Sequence, residues 1–199
     1  MFLLILAACD GKGGGTGSID TTDLWEVEDG RFQVYRHLTA DEYAAGDVTG
    51  ELDESNLLST QYASGGCESG DGWRIEMRSG GAWDSASVEG AVHVSGGKGL
   101  SVCGWESASG AIQAYDPPVE LFAPGTPLRD GADVTSGDWT VTASRVEDLP
   151  TYFGTFPLAV QFDVSGSGSL DGWSLTLAEG AGIVLYATPD FTADLVYTR

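Results

Sequence analysis

Basic residues are scarce in this chain: 9 Lys and Arg stand against 30 Asp and Glu among 199 residues, for a net charge of -21. A surface so poor in cations lacks the basic patches that hold nucleic acid or grip anionic lipid headgroups, so no nucleic-acid partner is expected. Histidine is nearly absent as well. His37 and His93 stand alone, and no Cys-x-x-Cys occurs, so neither a metal site nor a cofactor is expected. The nucleophile elbow Gly-x-Ser-x-Gly, the dinucleotide fingerprint Gly-x-Gly-x-x-Gly and the Walker phosphate loop are all missing. Thirty acids create carboxylate pairs by chance, which removes a glycosidase signal rather than supplying one. No catalytic residue is assigned. No apolar run approaches the roughly 20 residues that span a bilayer as a helix. What is present is a composition 42 % hydrophobic and 10 % aromatic, enough to build a packed core despite the acidity.

The chain opens Met1-Phe2-Leu3-Leu4-Ile5-Leu6-Ala7-Ala8-Cys9, an apolar run ending in small residues, as in the h-region and cleavage site of a secretory signal. Leu6-Ala7-Ala8-Cys9 resembles the lipobox of bacterial lipoproteins. The resemblance implies a signal peptide over 1–8, cleavage before Cys9, and acylation of Cys9, with the lipid bilayer as a partner through that anchor. The basic n-region is missing, which points to further residues upstream of Met1. Residues 9–20 then read as the lipidated cysteine and a tether, because Asp10-Gly11-Lys12-Gly13-Gly14-Gly15-Thr16-Gly17-Ser18 has no side chain worth burying. The expected address is the bacterial cell envelope, anchored at the outer membrane or the periplasmic face.

With Cys9 committed to lipid, Cys67 and Cys103 remain, in a chain exported to an oxidising compartment. A disulfide between them is the favoured reading, with two buried free thiols as the alternative.

From residue 21 onward the hydrophobic period is two. Trp73-Arg74-Ile75-Glu76-Met77, Val92-His93-Val94, Trp139-Thr140-Val141, Val160-Gln161-Phe162-Asp163-Val164, Leu175-Thr176-Leu177 and Ile183-Val184-Leu185 alternate between Gly, Ser, Asp and Pro clusters. Asp29-Gly30 between two alternating runs predicts a hairpin joining 24–28 to 31–36. One short helix is expected at 39–45, where Thr39 and Glu42 form a capping box and Gly46 stops the run. His93 alternates with Val92 and Val94 and reads as a solvent-facing or satisfied histidine. His37, at a strand end beside Arg36, reads the same way. Acidic stretches at Asp20/Asp23, Asp41/Glu42 and Glu68/Asp71 miss the twelve-residue calcium loop and offer at most weak divalent binding. The tryptophans at 25, 73, 139 and 173 stand beside turns, where large rings seal the end of a sandwich or barrel. The predicted fold is mostly β: a single antiparallel curved sheet, half-barrel or sandwich over 21–199, with at most one or two short helices. The repeated Ser-Gly…Asp-Gly-Trp pattern at 64–77 and 165–177 raises the question of duplicated halves, 21–114 and 115–199.

Tyr115-Asp116-Pro117-Pro118, with Pro124, Pro127, Leu128 and Gly131, resembles a segment of uncharacterised bacterial envelope lipoproteins. Asp138-Trp139-Thr140, Gly154-Thr155-Phe156 and Ala178-Glu179-Gly180-Ala181-Gly182 resemble later strands and turns of the same group. The resemblance implies a strongly bent antiparallel sheet like that of the periplasmic lipoprotein carrier, with an apolar concave face, and carries over no catalytic residue. The function expected is that of a non-enzymatic, membrane-anchored envelope lipoprotein. It would bind an apolar or lipid-like ligand, or an envelope protein, on a curved sheet. The alternative is a surface interaction or adhesion module whose acidic face meets a partner or divalent ions.

Overall fold

The computed structural model describes residues 18–19, 21, 24–25, 27–44, 52–67, 72–80, 86–96 and 99–199. Cys9, most of the tether, Trp83 and the acidic pairs Asp20/Asp23 and Glu68/Asp71 lie outside the described residues. Among the described residues, fourteen strands run in chain order: β1 (Ser18–Ile19), β2 (Phe32–Leu38), β3 (Leu57–Ser64), β4 (Gly72–Ser79), β5 (Ser87–Ser95), β6 (Leu100–Ser107), β7 (Ile112–Phe122), β8 (Leu128–Arg129), β9 (Ala132–Ser136), β10 (Trp139–Pro150), β11 (Thr155–Ser165), β12 (Ser174–Ala178), β13 (Gly182–Ala187) and β14 (Thr192–Thr198). The only helical pieces among the described residues are α1 (Ala40–Ala44) and a 3-10 turn at Glu54–Asn56.

Twelve of the strands form one antiparallel sheet in the order β7-β6-β5-β4-β3-β2-β14-β13-β12-β11-β10-β9. Chain neighbours pair throughout, except where the first long strand, β2, lies against the last, β14. The sheet curls into a nearly closed barrel whose free edges, β7 and β9, meet at a seam without a ladder. There the Glu120 N–H donates to Ser136 Oγ at 3.2 Å. Pro117 packs so near Gly137 that a Cβ on the glycine would stand 3.2 Å from its ring. The expected single curved antiparallel sheet with little helix is what the chain forms. The boundary between residues 114 and 115 falls inside β7.

The barrel is filled rather than hollow. Along β2, Gln33, Tyr35 and His37 form an inward row from floor to mouth, and Trp73, Ile75 and Met77 do the same on β4. Buried residues of every long strand except β9, among them Tyr35, Tyr62, Leu121, Phe122, Phe162 and Leu195, form one continuous core. What remains at the centre is an apolar void of about 40 Å³ bounded by Tyr35, Ile75, Val102, Leu121, Val164 and Tyr186. The floor is closed by the segment before β2. Leu24 and Trp25 are buried there, the latter with its ring 6.1 Å from that of Tyr62.

That closure corrects the predicted hairpin. Among the described residues of 24–28 none is in a strand, because β2 already has β14 on one side and β3 on the other. The Asp29–Gly30 turn forms nevertheless. It is fastened to the end of β3, the Gly30 N–H reaching Tyr62 O and the Ser64 N–H reaching Asp29 Oδ1, both at 2.9 Å. Above Trp25 the floor carries a buried polar lock. Gln33 Nε2 donates to the carbonyls of Ala181 and Ile183 at 3.0 Å, while its Oε1 accepts the Tyr62 and Tyr35 hydroxyls at 2.7 and 3.0 Å. Every hydrogen-bonding group of the amide is thereby used, which a fully buried Gln requires.

The helix appears as the capping box predicts. The Glu42 N–H donates to Thr39 Oγ1 at 3.3 Å, and Glu42 Oε2 accepts both the N–H and the hydroxyl of Thr39 at 2.8 Å.

Candidate functional site

Two β-bulges decide which side chains reach the open end of the barrel. On β5, Gly90 pairs with Met77 and Val88 with Arg78, so Glu89 is an extra residue. The bulge turns Glu89 to the rim, where its carboxylate accepts a hydrogen bond from the Ser79 hydroxyl. On β6, Gly104 pairs with His93 and Val102 with Val94, leaving Cys103 as the extra residue. That insertion resets the alternation: Val102 faces the interior, and Trp105 also faces inward, three positions later. Gly90 lets the Trp105 ring lie against β5, since a Cβ there would meet Glu106 O at 2.4 Å and the indole at 2.8 Å.

The mouth so formed is a cavity of about 540 Å³ built from the ends of β2, β4, β6 and β13, the starts of β3 and β5, and the turns before β12 and β14. Trp105 and Trp173 meet edge to face at 5.5 Å, and Tyr186 meets Phe191 likewise at 5.9 Å. The His37 ring lies 4.7 Å from that of Phe191. Met77 and Leu58 complete the apolar base. Polar groups sit higher, on Ser79, Glu89, Ser169, Asp171, Thr188 and Asp190. Asp171 is oriented by the Gly166 N–H, 3.0 Å from its Oδ1. Tyr186 is buried, which pushes its phenol far above its ordinary range. The Tyr62 phenol and the Glu89 carboxylate push it further.

His93 stands elsewhere, on the outer wall. Its Nδ1 donates to Gly66 O at 2.7 Å and its Nε2 meets Glu106 Oε2 at 3.0 Å. The Gly66 carbonyl can only accept, so Nδ1 carries a proton. Arg74 grips the two oxygens of Glu106 through Nε and Nη2 at 2.8 and 3.0 Å and reaches Glu76 at 2.6 Å. These bonds, Arg74 first and His93 second, hold the Glu106 carboxyl down at about 2. Beside the cluster Cys67 and Cys103 are joined, their Cα atoms 6.1 Å apart. The bridge and His93 thus pin the same loop, at Cys67 and Gly66, to the wall. The two histidines therefore part company: His93 is engaged on both ring nitrogens in a structural cluster, while His37 lines the mouth.

Of the tryptophans read as end seals, Trp173 and Trp139 lie at the mouth end, Trp25 and Trp73 at the floor. Trp139 is seated on Gly166, where a Cβ would stand 2.5 Å from the ring, and meets Tyr115 edge to face at 5.6 Å. Glu89, Trp105, Asp171, Tyr186, Asp190 and Phe191 are the mouth residues that sequence reasoning did not bring together. Trp173 alone carried a signal, the Asp-Gly-Trp motif. The described residues contain no group of three or more His, Cys, Asp or Glu placed to hold a metal ion. No helix among them is long and apolar enough to cross a membrane. No protein-family model matches the chain, and no curated protein or solved structure matches it either.

Proposed function

We propose that this chain is a non-enzymatic lipoprotein of the bacterial cell envelope, anchored through Cys9, that binds a small apolar-bodied ligand in the barrel mouth. The observation that carries the reading is the mouth itself. Its volume of about 540 Å³ lies in the range of ligand sites, it is aromatic at the base and polar at the rim, and barrel mouths are a preferred location for such sites. The void at the barrel centre, about 40 Å³, is too small for an acyl chain, so the ligand sits at the mouth.

The position of β1 fits an anchored binder. β1 pairs with β8, just beyond the floor end of β7, and the segment from Leu24 to β2 crosses the floor. β1 therefore lies at the end of the barrel opposite the mouth, which suits an anchor on that side. Several acyl chains on one cysteine hold durably, since each buried methylene contributes about 0.8 kcal/mol.

Native mass spectrometry of chain purified from envelope membranes, wild type beside Trp173→Leu, tests the site. A small-molecule adduct on the wild type that the variant lacks is expected; an adduct on both, or on neither, counts against the mouth. Labelling with a palmitate analogue tests the anchor, and equal labelling of wild type and Cys9→Ala would sink it. An envelope-protein partner is the second reading, favoured by the exposed Tyr152 and Phe153 at the tip of the β10–β11 hairpin. Crosslinking from position 153 in membranes checks it.

A further inference from the structure

We infer that the ligand of the mouth is an organic cation, an ammonium group carried on an apolar or aromatic body; the inference rests on the mouth being the binding site. Four aromatic rings form its wall in two perpendicular pairs, and an edge-to-face pair leaves ring faces turned in more than one direction. Ring faces carry negative potential and attract cations, tryptophan most strongly. Above the rings, the charged lining residues are all acidic: Glu89, Asp171 and Asp190, with no Lys or Arg among the described residues that line the cavity. None of the three carboxylates is in an ion pair among the described residues.

Glu89 and Asp171 are also held in place, the first by its bulge and the Ser79 hydroxyl, the second by the Gly166 N–H. Glu89 and Tyr186 line the same cavity, and after burial and the Tyr62 phenol the Glu89 carboxylate helps push the Tyr186 phenol up. A net charge of -21 adds a negative background that raises the local concentration of cations. An anionic ligand would meet three uncompensated carboxylates. A neutral apolar ligand would leave the rim without a role. An ammonium satisfies rings and rim together.

The experiment titrates the full chain with benzyltrimethylammonium and, separately, with its neutral isostere neopentylbenzene, following the indole N–H resonances of Trp105 and Trp173. The cation is expected to shift both resonances and to bind at least about tenfold more tightly than the isostere. Its Kd is expected to rise between 20 and 500 mM salt. Glu89→Gln is expected to weaken the cation about threefold or more and leave the isostere unchanged. Trp173→Leu, checked for an unchanged circular-dichroism spectrum, is expected to lose both. Equal affinities for the two probes, still lost in Trp173→Leu, would overturn the cation inference and leave the mouth as the binding site. Failure of both probes to perturb the mouth would overturn both.

Discussion

Buried charge in this protein is concentrated at Arg36 and Asp194, whose side chains are 3 % and 2 % exposed and lie 3.5 Å apart on the outer wall. The β10–β11 tip covers them. The Tyr152 N–H donates to the Asp194 carboxylate, the Tyr152 ring lies over the Arg36 guanidinium at 5.4 Å, and the Phe153 N–H donates to Leu195 O at 2.9 Å. Burial outweighs the Tyr152 N–H and Arg36, and pushes the Asp194 carboxyl up to about 6. The folded chain therefore holds that proton more tightly than the unfolded chain, where Asp titrates near ~3.9. Its contribution to stability is complete below about pH 4 and is lost as pH rises through about 6, amounting to up to about 3 kcal/mol. Urea unfolding from pH 4 to 7.5 should show wild type losing this increment, whereas Asp194→Asn lacks it; parallel curves would refute the assignment. Glu106, held at about 2, acts below that window and with the opposite sign, since its contribution disappears only as pH falls toward 2. The floor lock makes a second residue-scale prediction. Gln33→Leu deprives the buried Tyr62 hydroxyl of its acceptor, while the Tyr35 hydroxyl still reaches Ile183 O and Arg31 still reaches Ala181 O, so unfolding free energy should fall by about 1–3 kcal/mol in chemical denaturation.

At the scale of elements, the strands that alternate cleanly were legible. Trp73–Met77 and Val160–Val164 lie inside β4 and β11, Ile183–Leu185 lies inside β13 as a continuous apolar run, and turn chemistry marked α1 and the Asp29–Gly30 turn. Four strands gave too little contrast. In β3, buried Leu58, Thr60 and Tyr62 alternate with Ser59, which is buried as well, so both faces read alike. β14 hides Asp194 on its outer face, and β9 is five residues at an edge. β7 carries Pro117 and Pro118, which lie in an excursion of 115–118 opposite Cys103, between the pairs Gly104–Ala114 and Val102–Val119. The bulges explain why the mouth was not legible. A one-residue insertion reverses which face every later side chain takes, and neither Glu89 nor Cys103 announces one locally. The bulge at Cys103 places its sulfur on the outer wall within reach of Cys67, so bridge and bulge depend on each other. In the chain-entropy account, a crosslink over a 36-residue separation contributes about 4 kcal/mol. Cys67→Ala with Cys103→Ala should therefore lower the denaturation midpoint strongly, and hydrogen exchange should quicken first at 65–67 and 103–106. Uniform quickening across the sheet would argue against a local role.

At the scale of the whole molecule, the seam between β7 and β9 and the pairing of β2 with β14 are two aspects of one topology. Phe32 and Arg199 exchange two backbone hydrogen bonds at 3.0 Å, so the last residue of the chain lies directly beside the first long strand. Among the described residues, the segment 123–131 spans the one place, between β7 and β9, where neighbouring strands of the sheet lack a ladder. Joining position 199 to position 21 through a Gly-Ser linker, with new termini opened at 125, would give a permutant that keeps every strand pair of the barrel and the floor residues Leu24 and Trp25. Such a chain should fold with an unchanged far-ultraviolet spectrum; collapse to an unfolded spectrum would show that the 123–127 crossing, rather than the ladder, holds the barrel shut. It would begin at the seam and carry its former start as an internal loop under the floor. The twelve-stranded sheet is thus indifferent to which of its strands comes first.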